Sequence, residues 1–134
     1  MVTRYLLDTH VLVRWLAEPK KLSREQVRVL HQTVRRGEPV GISAVTLLEV
    51  AVLLSTGRLR IRAHIDEVLS EVEANPLIRT LPLTVEIARE VVHLGASLRD
   101  PADRAIVATA RVHLLQLLTS DQRIIESKLV PAVE

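Results

Sequence analysis

Five aspartates occur in the 134-residue chain, and four of them stand where one segment gives way to the next. Asp8 closes the apolar run Tyr5-Leu6-Leu7, Asp100 and Asp103 open a helical stretch, and Asp121 follows Leu117-Leu118-Thr119-Ser120. Asp66, on a polar helix face, is the exception. The glutamates mostly decorate solvated helix faces, but Glu49 is embedded in Ala44-Val45-Thr46-Leu47-Leu48-Glu49-Val50-Ala51-Val52, where an ionised carboxylate is rarely buried without a partner. Ser43, Thr46 and Glu49 are spaced three apart, so they share one narrow polar stripe of that helix.

Each acid also has a purely structural use. Asp8 can cap the helix that follows it, Asp100 before Pro101 has the form of an N-cap with proline at the first helical position, and Asp103 can answer the helix dipole. Asp121 can cap its own short helix, and Glu49 can pair with a buried arginine such as Arg104 or Arg14. Capping and solvation nevertheless explain Glu49 poorly. If Asp8, Glu49, Asp103 and Asp121 meet at one edge of a sheet, two unit charges about 4 Å apart repel by on the order of 4 kcal/mol at an effective dielectric near 20. Such a cluster requires protons or cations. Hard oxygen ligands, with no Cys and no metal-spaced His pair, favour magnesium or manganese. Water activated beside such an ion can attack a phosphodiester in line, which is the chemistry of a metal-dependent nuclease.

The elements that must position these acids follow from the pattern of apolar residues. Residues 5–7 form a strand that delivers Asp8 to a strand-to-helix junction, the place where open α/β sheets bind their ligands, and 11–16 continue as a helix. Ser23 and Gln26 fit a capping box for a helix with Val27, Leu30 and Val34 on one face, ended by Gly37. A second strand at 40–43 runs into a helix over 44–55 that is apolar nearly all round, which predicts burial by the sheet on one side and by a second subunit on another. An alternating connector carries Arg58, Arg60 and Arg62, and an amphipathic helix then runs out at Asn75-Pro76. A strand at 77–81, a helix at 84–94 and a loop at 95–98 lead to the helix that Asp100 opens, which extends to about 112. A fourth strand at 114–118, a short helix at 121–128 and a final strand at 129–130 complete the chain. Strands alternating with helices imply an α/β fold in three layers, with a mostly parallel central sheet covered on both faces. The length fits a single domain over 1–134, with no repeat or linker.

Composition narrows the setting. Hydrophobic residues make up 48% of the chain with no Phe, one Trp and one Tyr, so the core is aliphatic and Trp15 belongs to it or to a dimer interface. The absence of Cys excludes disulfides and thiolate catalysis. No apolar run approaches the roughly 18 to 20 residues that span a bilayer, and no signal peptide is evident, so a cytoplasmic protein without membrane attachment is expected. The net charge of +2 is too small to demand a polyanion, although arginine, whose planar fork suits phosphate, far outnumbers lysine.

Four stretches together carry a resemblance. Leu6-Leu7-Asp8-Thr9-His10, Ile42-Ser43-Ala44-Val45-Thr46-Leu47-Leu48-Glu49, Arg99-Asp100-Pro101-Ala102-Asp103-Arg104 and Leu117-Leu118-Thr119-Ser120-Asp121 resemble, in order, the four acidic motifs of PIN-domain ribonucleases. The similarity is greatest to the VapC-type toxins of toxin-antitoxin pairs, and it covers essentially the whole chain. It implies a magnesium-dependent endoribonuclease with manganese as a substitute, and Asp8, Glu49, Asp103 and Asp121 as the metal-binding catalytic acids. Asp100 is then an accessory acid or a cap, and Thr9, Thr46, Thr119 and Arg104 stand behind the acids. It also implies an RNA substrate, a homodimer, and a cognate antitoxin that covers the site. Two positions depart from the pattern: Leu98 stands where the related toxins often have His, and Ala102 replaces Phe, changes that touch local packing and leave every acid in place.

Other readings compete. A catalytically inactive PIN domain acting as an RNA-binding or regulatory protein would keep the fold without metal-dependent cleavage. A phospho-acceptor receiver also gathers Asp at strand ends, but it needs a lysine beside them, and Lys20, Lys21 and Lys128 lie beside none of the motifs. A phosphatase with an Asp nucleophile would want a second Asp two positions after Asp8, where His10 stands. His10 itself reads as a packed or hydrogen-bonded histidine. Arg58, Arg60 and Arg62 read as a solvated connector, although such residues can also bind RNA phosphate without reading sequence.

Overall fold

In the computed structural model, which describes residues 2–134, Tyr5–Leu7 (β1) is the central strand of a five-stranded sheet. Val40–Ser43 (β2) and Ile78–Leu81 (β3) lie on one side of it, and Gln116–Leu118 (β4) and Ala132–Val133 (β5) on the other, in the order β3-β2-β1-β4-β5. Every pairing is parallel, so the predicted mostly parallel sheet is wholly so. Register fixes which side chain meets which layer. Leu7 aligns with Ile42 and Leu118, and Leu118 with Val133; these residues share one aliphatic cluster. Leu6 aligns with Gly41 and Leu117, and Leu6 and Leu117 join Leu81 in the cluster on the opposite face. A Cβ at Gly41 would stand 3.2 Å from both Leu6 Cδ1 and Leu81 Cδ1, so any larger residue there would press on that face.

The helices cover both faces. Thr9–Ala17 (α1), Arg24–Arg35 (α2) and Ile65–Ala74 (α4) contribute Val11, Leu12, Val29, Leu30 and Val72 to the cluster around Leu7, with Trp15 half-buried against it. Val85–His93 (α5), Pro101–Val112 (α6) and Gln122–Ser127 (α7) contribute Ile87, Ile106, Val107 and Ile124 to the cluster around Leu6. Ala44–Ser55 (α3) packs between these groups, and its Val50 joins Val13 and Val68 in a third, smaller cluster. That cluster is closed by Leu59, Ile61 and Ala63, which explains the alternation seen in the connector.

Several boundaries differ from the sequence expectation. The first helix begins at Thr9 because Asp8 caps it, two residues before the apolar run that signalled it. The α2 capping box between Ser23 and Gln26 forms, but the buried face is Gln26, Val29, Leu30 and Thr33, and Val34 is exposed. Ile87 is the fully buried residue of α5, whose Val85 and Val92 face outward. Leu114 takes a left-handed turn with φ 56°, so β4 starts at Gln116. Leu129 and Val130 pack into the core around Leu6, and the last strand forms at Ala132–Val133 instead.

Candidate active site

Parallel strands end at the same edge, and that edge collects the motif residues. The Asp8 backbone N–H donates to the Leu118 carbonyl at 3.0 Å, which sets the end of β1 against the end of β4. Asp8 is buried, with 6% of its surface exposed. One of its oxygens accepts the Val11 N–H at 3.1 Å as the N-cap of α1, and the other accepts the Thr119 hydroxyl. Capping and site formation are therefore the same arrangement at this residue. The Thr119 hydroxyl in turn accepts the Asp121 N–H at 3.1 Å. On the other side of β1, the Thr9 hydroxyl donates to that of Thr46 at 3.2 Å in a buried contact, which ties α1 to the helix bearing Glu49.

Asp103 lies in the first turn of α6, a helix that leads into β4 and so begins at the edge where the parallel strands end. Asp100 caps that helix by accepting the Asp103 N–H at 3.0 Å. The Asp103 carboxyl is pushed up from its usual range to about 7, first by burial and then by the negative charges of Asp100, Asp121 and Glu49, with Arg123 pulling the other way. The charges of acids from two other segments, Glu49 and Asp121, thus reach Asp103, together with that of Asp100 on its own helix. Burial also pushes the Asp8 carboxyl up, against the Thr119 and Val11 hydrogen bonds and nearby His10, which favour its charged form.

A cleft of about 260 Å³ opens at this edge, lined by Asp8, His10, Arg14, Ser120, Asp121 and Arg123. Asp121 is the acid shared between the cleft and the group around Asp103. It caps α7 through the Arg123 N–H at 2.9 Å and pairs with the Arg123 guanidinium at 3.3 Å. Among the described residues, no three His, Cys, Asp or Glu side chains converge closely enough, as they stand, to grip one ion. The donor set nevertheless suits a hard divalent cation, because it is made of carboxylates, one of which burial and then its acidic neighbours already push up to about 7. Asp8, Glu49, Asp103 and Asp121, with Asp100 beside them, are the residues that would hold it.

Three expectations are corrected here. Arg104 reaches no acid: its guanidinium donates to the carbonyls of Val91 at 2.7 Å, Gly95 at 2.7 Å and Leu98 at 2.6 Å, clamping the end of α5 and the following loop. Its three carbonyl partners have no counterpart in a local sequence pattern. His10 is exposed at the cleft mouth rather than packed. Glu49 forms no ion pair with Arg104 or Arg14, and it is half-buried on α3. Ser120, Arg14 and Arg123 went unnoticed as site residues, although Ser120 and Arg123 flank the Asp121 motif closely enough to have been suspected.

A parallel α/β/α sandwich with acids gathered where the strands end defines the class. The sequence matches the PIN domain over residues 5–128, and the chain belongs to the PIN-domain family. Within that family it is of the VapC type, being 32% identical to "Ribonuclease VapC22" of Mycobacterium tuberculosis over 124 residues, 92% of this chain and 91% of the relative. Its fold is similar to that of FitAcB from Neisseria gonorrhoeae, with a TM-score of 0.70 and 25% identity over 97% of this chain and 96% of the other. It also superposes on VapBC2 from Rickettsia felis, solved bound to a promoter DNA fragment, with a TM-score of 0.71, 13% identity and 98% of each chain covered.

Proposed function

We propose that this chain is the ribonuclease toxin of a toxin-antitoxin pair, hydrolysing RNA phosphodiesters in the cytoplasm with Mg²⁺ or Mn²⁺ held by Asp8, Glu49, Asp103 and Asp121. The observation that carries this reading is the crowding of Asp100, Asp121 and Glu49 around Asp103 beside the cleft that Asp8 and Asp121 line. The VapC-type relative, itself a ribonuclease by name, supports the substrate class.

When bound, a divalent ion supplies charge neutralisation for the phosphoryl oxygens and a more acidic water. The protein does the rest. Thr119 holds the Asp8 carboxylate by one oxygen while the α1 cap holds the other, so Asp8 is fixed before substrate arrives. The Thr9 to Thr46 contact anchors the helix that carries Glu49. Asp103, protonated or ionised near neutral pH, is suited to release a proton as positive charge enters the site.

Two partners complete the proposal. Leu48 and Val52 of α3 are 65% and 43% exposed on a helix that the sequence predicts to be covered, which supports a homodimer through that face. A cognate antitoxin that covers the cleft would hold the enzyme idle. Incubating the purified chain with labelled RNA in Mg²⁺, in chelator, and as Asp8→Asn tests the reading. Cleavage is expected in the first alone; RNA hydrolysed as fast in chelator or by the variant refutes it.

A further inference from the structure

Arg14 lies half-buried in the wall of the cleft beside Asp8 and Asp121, yet among the described residues it pairs with neither and forms no ion pair. Among the described residues its side chain makes one polar contact, a long one, 3.5 Å from Nη1 to the Ser120 hydroxyl oxygen. That hydroxyl also accepts a hydrogen bond from the Gln26 amide nitrogen at 3.2 Å. A hydroxyl has two lone pairs and one proton. Both donors approaching Ser120 can only donate, so its lone pairs are engaged and its proton is left for an acceptor.

Gln26 shows that this placement is built into the core. It is fully buried, its carbonyl oxygen accepts the Ser23 N–H at 3.1 Å, and its amide nitrogen also reaches the Val133 carbonyl at 3.4 Å. One side chain therefore joins the start of α2, the last strand and the loop that bears Asp121. A buried amide with its donors and acceptor so engaged keeps Ser120 from turning away.

We infer that Arg14 and Ser120, with Ser120 fixed by Gln26, form a contact for a phosphate of single-stranded RNA next to the one being cut. The site offers a guanidinium without a carboxylate and a hydroxyl proton without an acceptor, with His10 on the same cleft wall, whereas Arg123 there is already paired with Asp121. The unpaired guanidinium and the free hydroxyl proton complement an anion, whereas the acids of the same cleft complement a cation. Such a contact positions the strand and reads no base. The inference rests on the nuclease reading above for its substrate, but it concerns binding and is tested apart from cleavage.

The test titrates a fluorescein-labelled, mixed-sequence RNA 12-mer in EDTA into the wild-type protein and into Arg14→Gln, Ser120→Ala and Arg35→Gln, the last lying away from the cleft on α2. Arg14→Gln is expected to weaken binding about tenfold, the scale of one charge-assisted hydrogen bond, and Ser120→Ala several-fold, with Arg35→Gln unchanged. The slope of log Kd against log salt should fall by about 0.7 in Arg14→Gln, the value for one phosphate on a single strand. Wild-type affinity and slope in Arg14→Gln, or no binding by the wild type, overturns the contact. So does competition by an acidic peptide as effective as competition by RNA, which would give Arg14 to a protein partner. Cleavage of the same RNA once Mg²⁺ is added reports on the nuclease reading separately.

Discussion

The Thr119 hydroxyl donates to the buried Asp8 carboxylate and accepts the Asp121 backbone N–H at 3.1 Å, so one hydroxyl joins the acids at the ends of two neighbouring strands. Thr119→Val keeps the shape and removes both bonds. It is expected to cost about 1–3 kcal/mol, the penalty for leaving buried polar groups unpaired, and to reduce RNA cleavage, while Thr119→Ser retains most of both. Urea unfolding of the three proteins measures the first effect, and a Thr119→Val protein as stable as wild type would show that the bond does not hold the site.

Asp103 makes the metal-free protein sensitive to pH. Its carboxyl titrates near 7 in the folded protein and at the ordinary value of 3.8 once unfolded. Between these values the folded state binds more protons, so this group's contribution is fully present below pH 4 and is lost as pH rises towards 7. The stability advantage of Asp103→Asn over wild type should therefore grow from pH 4 to pH 7 and level off above it. Mg²⁺ at pH 8 should shrink that advantage by stabilising the wild type. Thermal melts in chelator across this range check the trend, and a constant difference would contradict it.

Arg104 is predicted to act through stability. Its three carbonyl contacts hold the end of α5 to the loop before Asp100. Arg104→Ala should destabilise the fold by roughly 3 kcal/mol or more, the scale of hydrogen bonds to a charged donor. Arg104→Lys should recover only part of this, because an ammonium cannot reproduce the planar fork. Denaturant midpoints read both variants.

How much of this was legible in advance depends on range. The three-layer fold and the order of its elements follow from local periodicity, and so do the caps at Asp8, Ser23, Asp100 and Asp121, because each depends on residues close in the chain. The face of α2 was misread because Gln26 and Thr33 are buried by distant partners or by backbone bonding, which apolar spacing does not register. The last strand was misplaced because Leu129 and Val130 are as apolar as a strand but are claimed by the core. Arg104 was misassigned because the carbonyls it binds belong to the last turn of α5 and to the loop after it, with no side-chain pattern to mark them. Glu49 stood out as an acid in an apolar helix, and its charge is felt at Asp103.

The exposed apolar side chains of α3 predict self-association. Leu48→Lys should turn a dimer into a monomer in sedimentation velocity while leaving the melting temperature little changed, since Leu48 is 65% exposed within one chain. Wild-type protein that sediments as a monomer at tens of micromolar would remove that interface, on the order of the concentrations where weak dimers form.

Mn²⁺ binding followed by the loss of the free-ion paramagnetic resonance signal asks most directly whether acids from four segments act as one site. Wild type should take up the ion near neutral pH, and Asp8→Asn, Glu49→Gln, Asp103→Asn and Asp121→Asn should each weaken uptake by about tenfold or more, as loss of a ligand or its support does. Uptake by Glu49→Gln and Asp103→Asn equal to that of the wild type would mean that these carboxylates are neighbours without a shared ion.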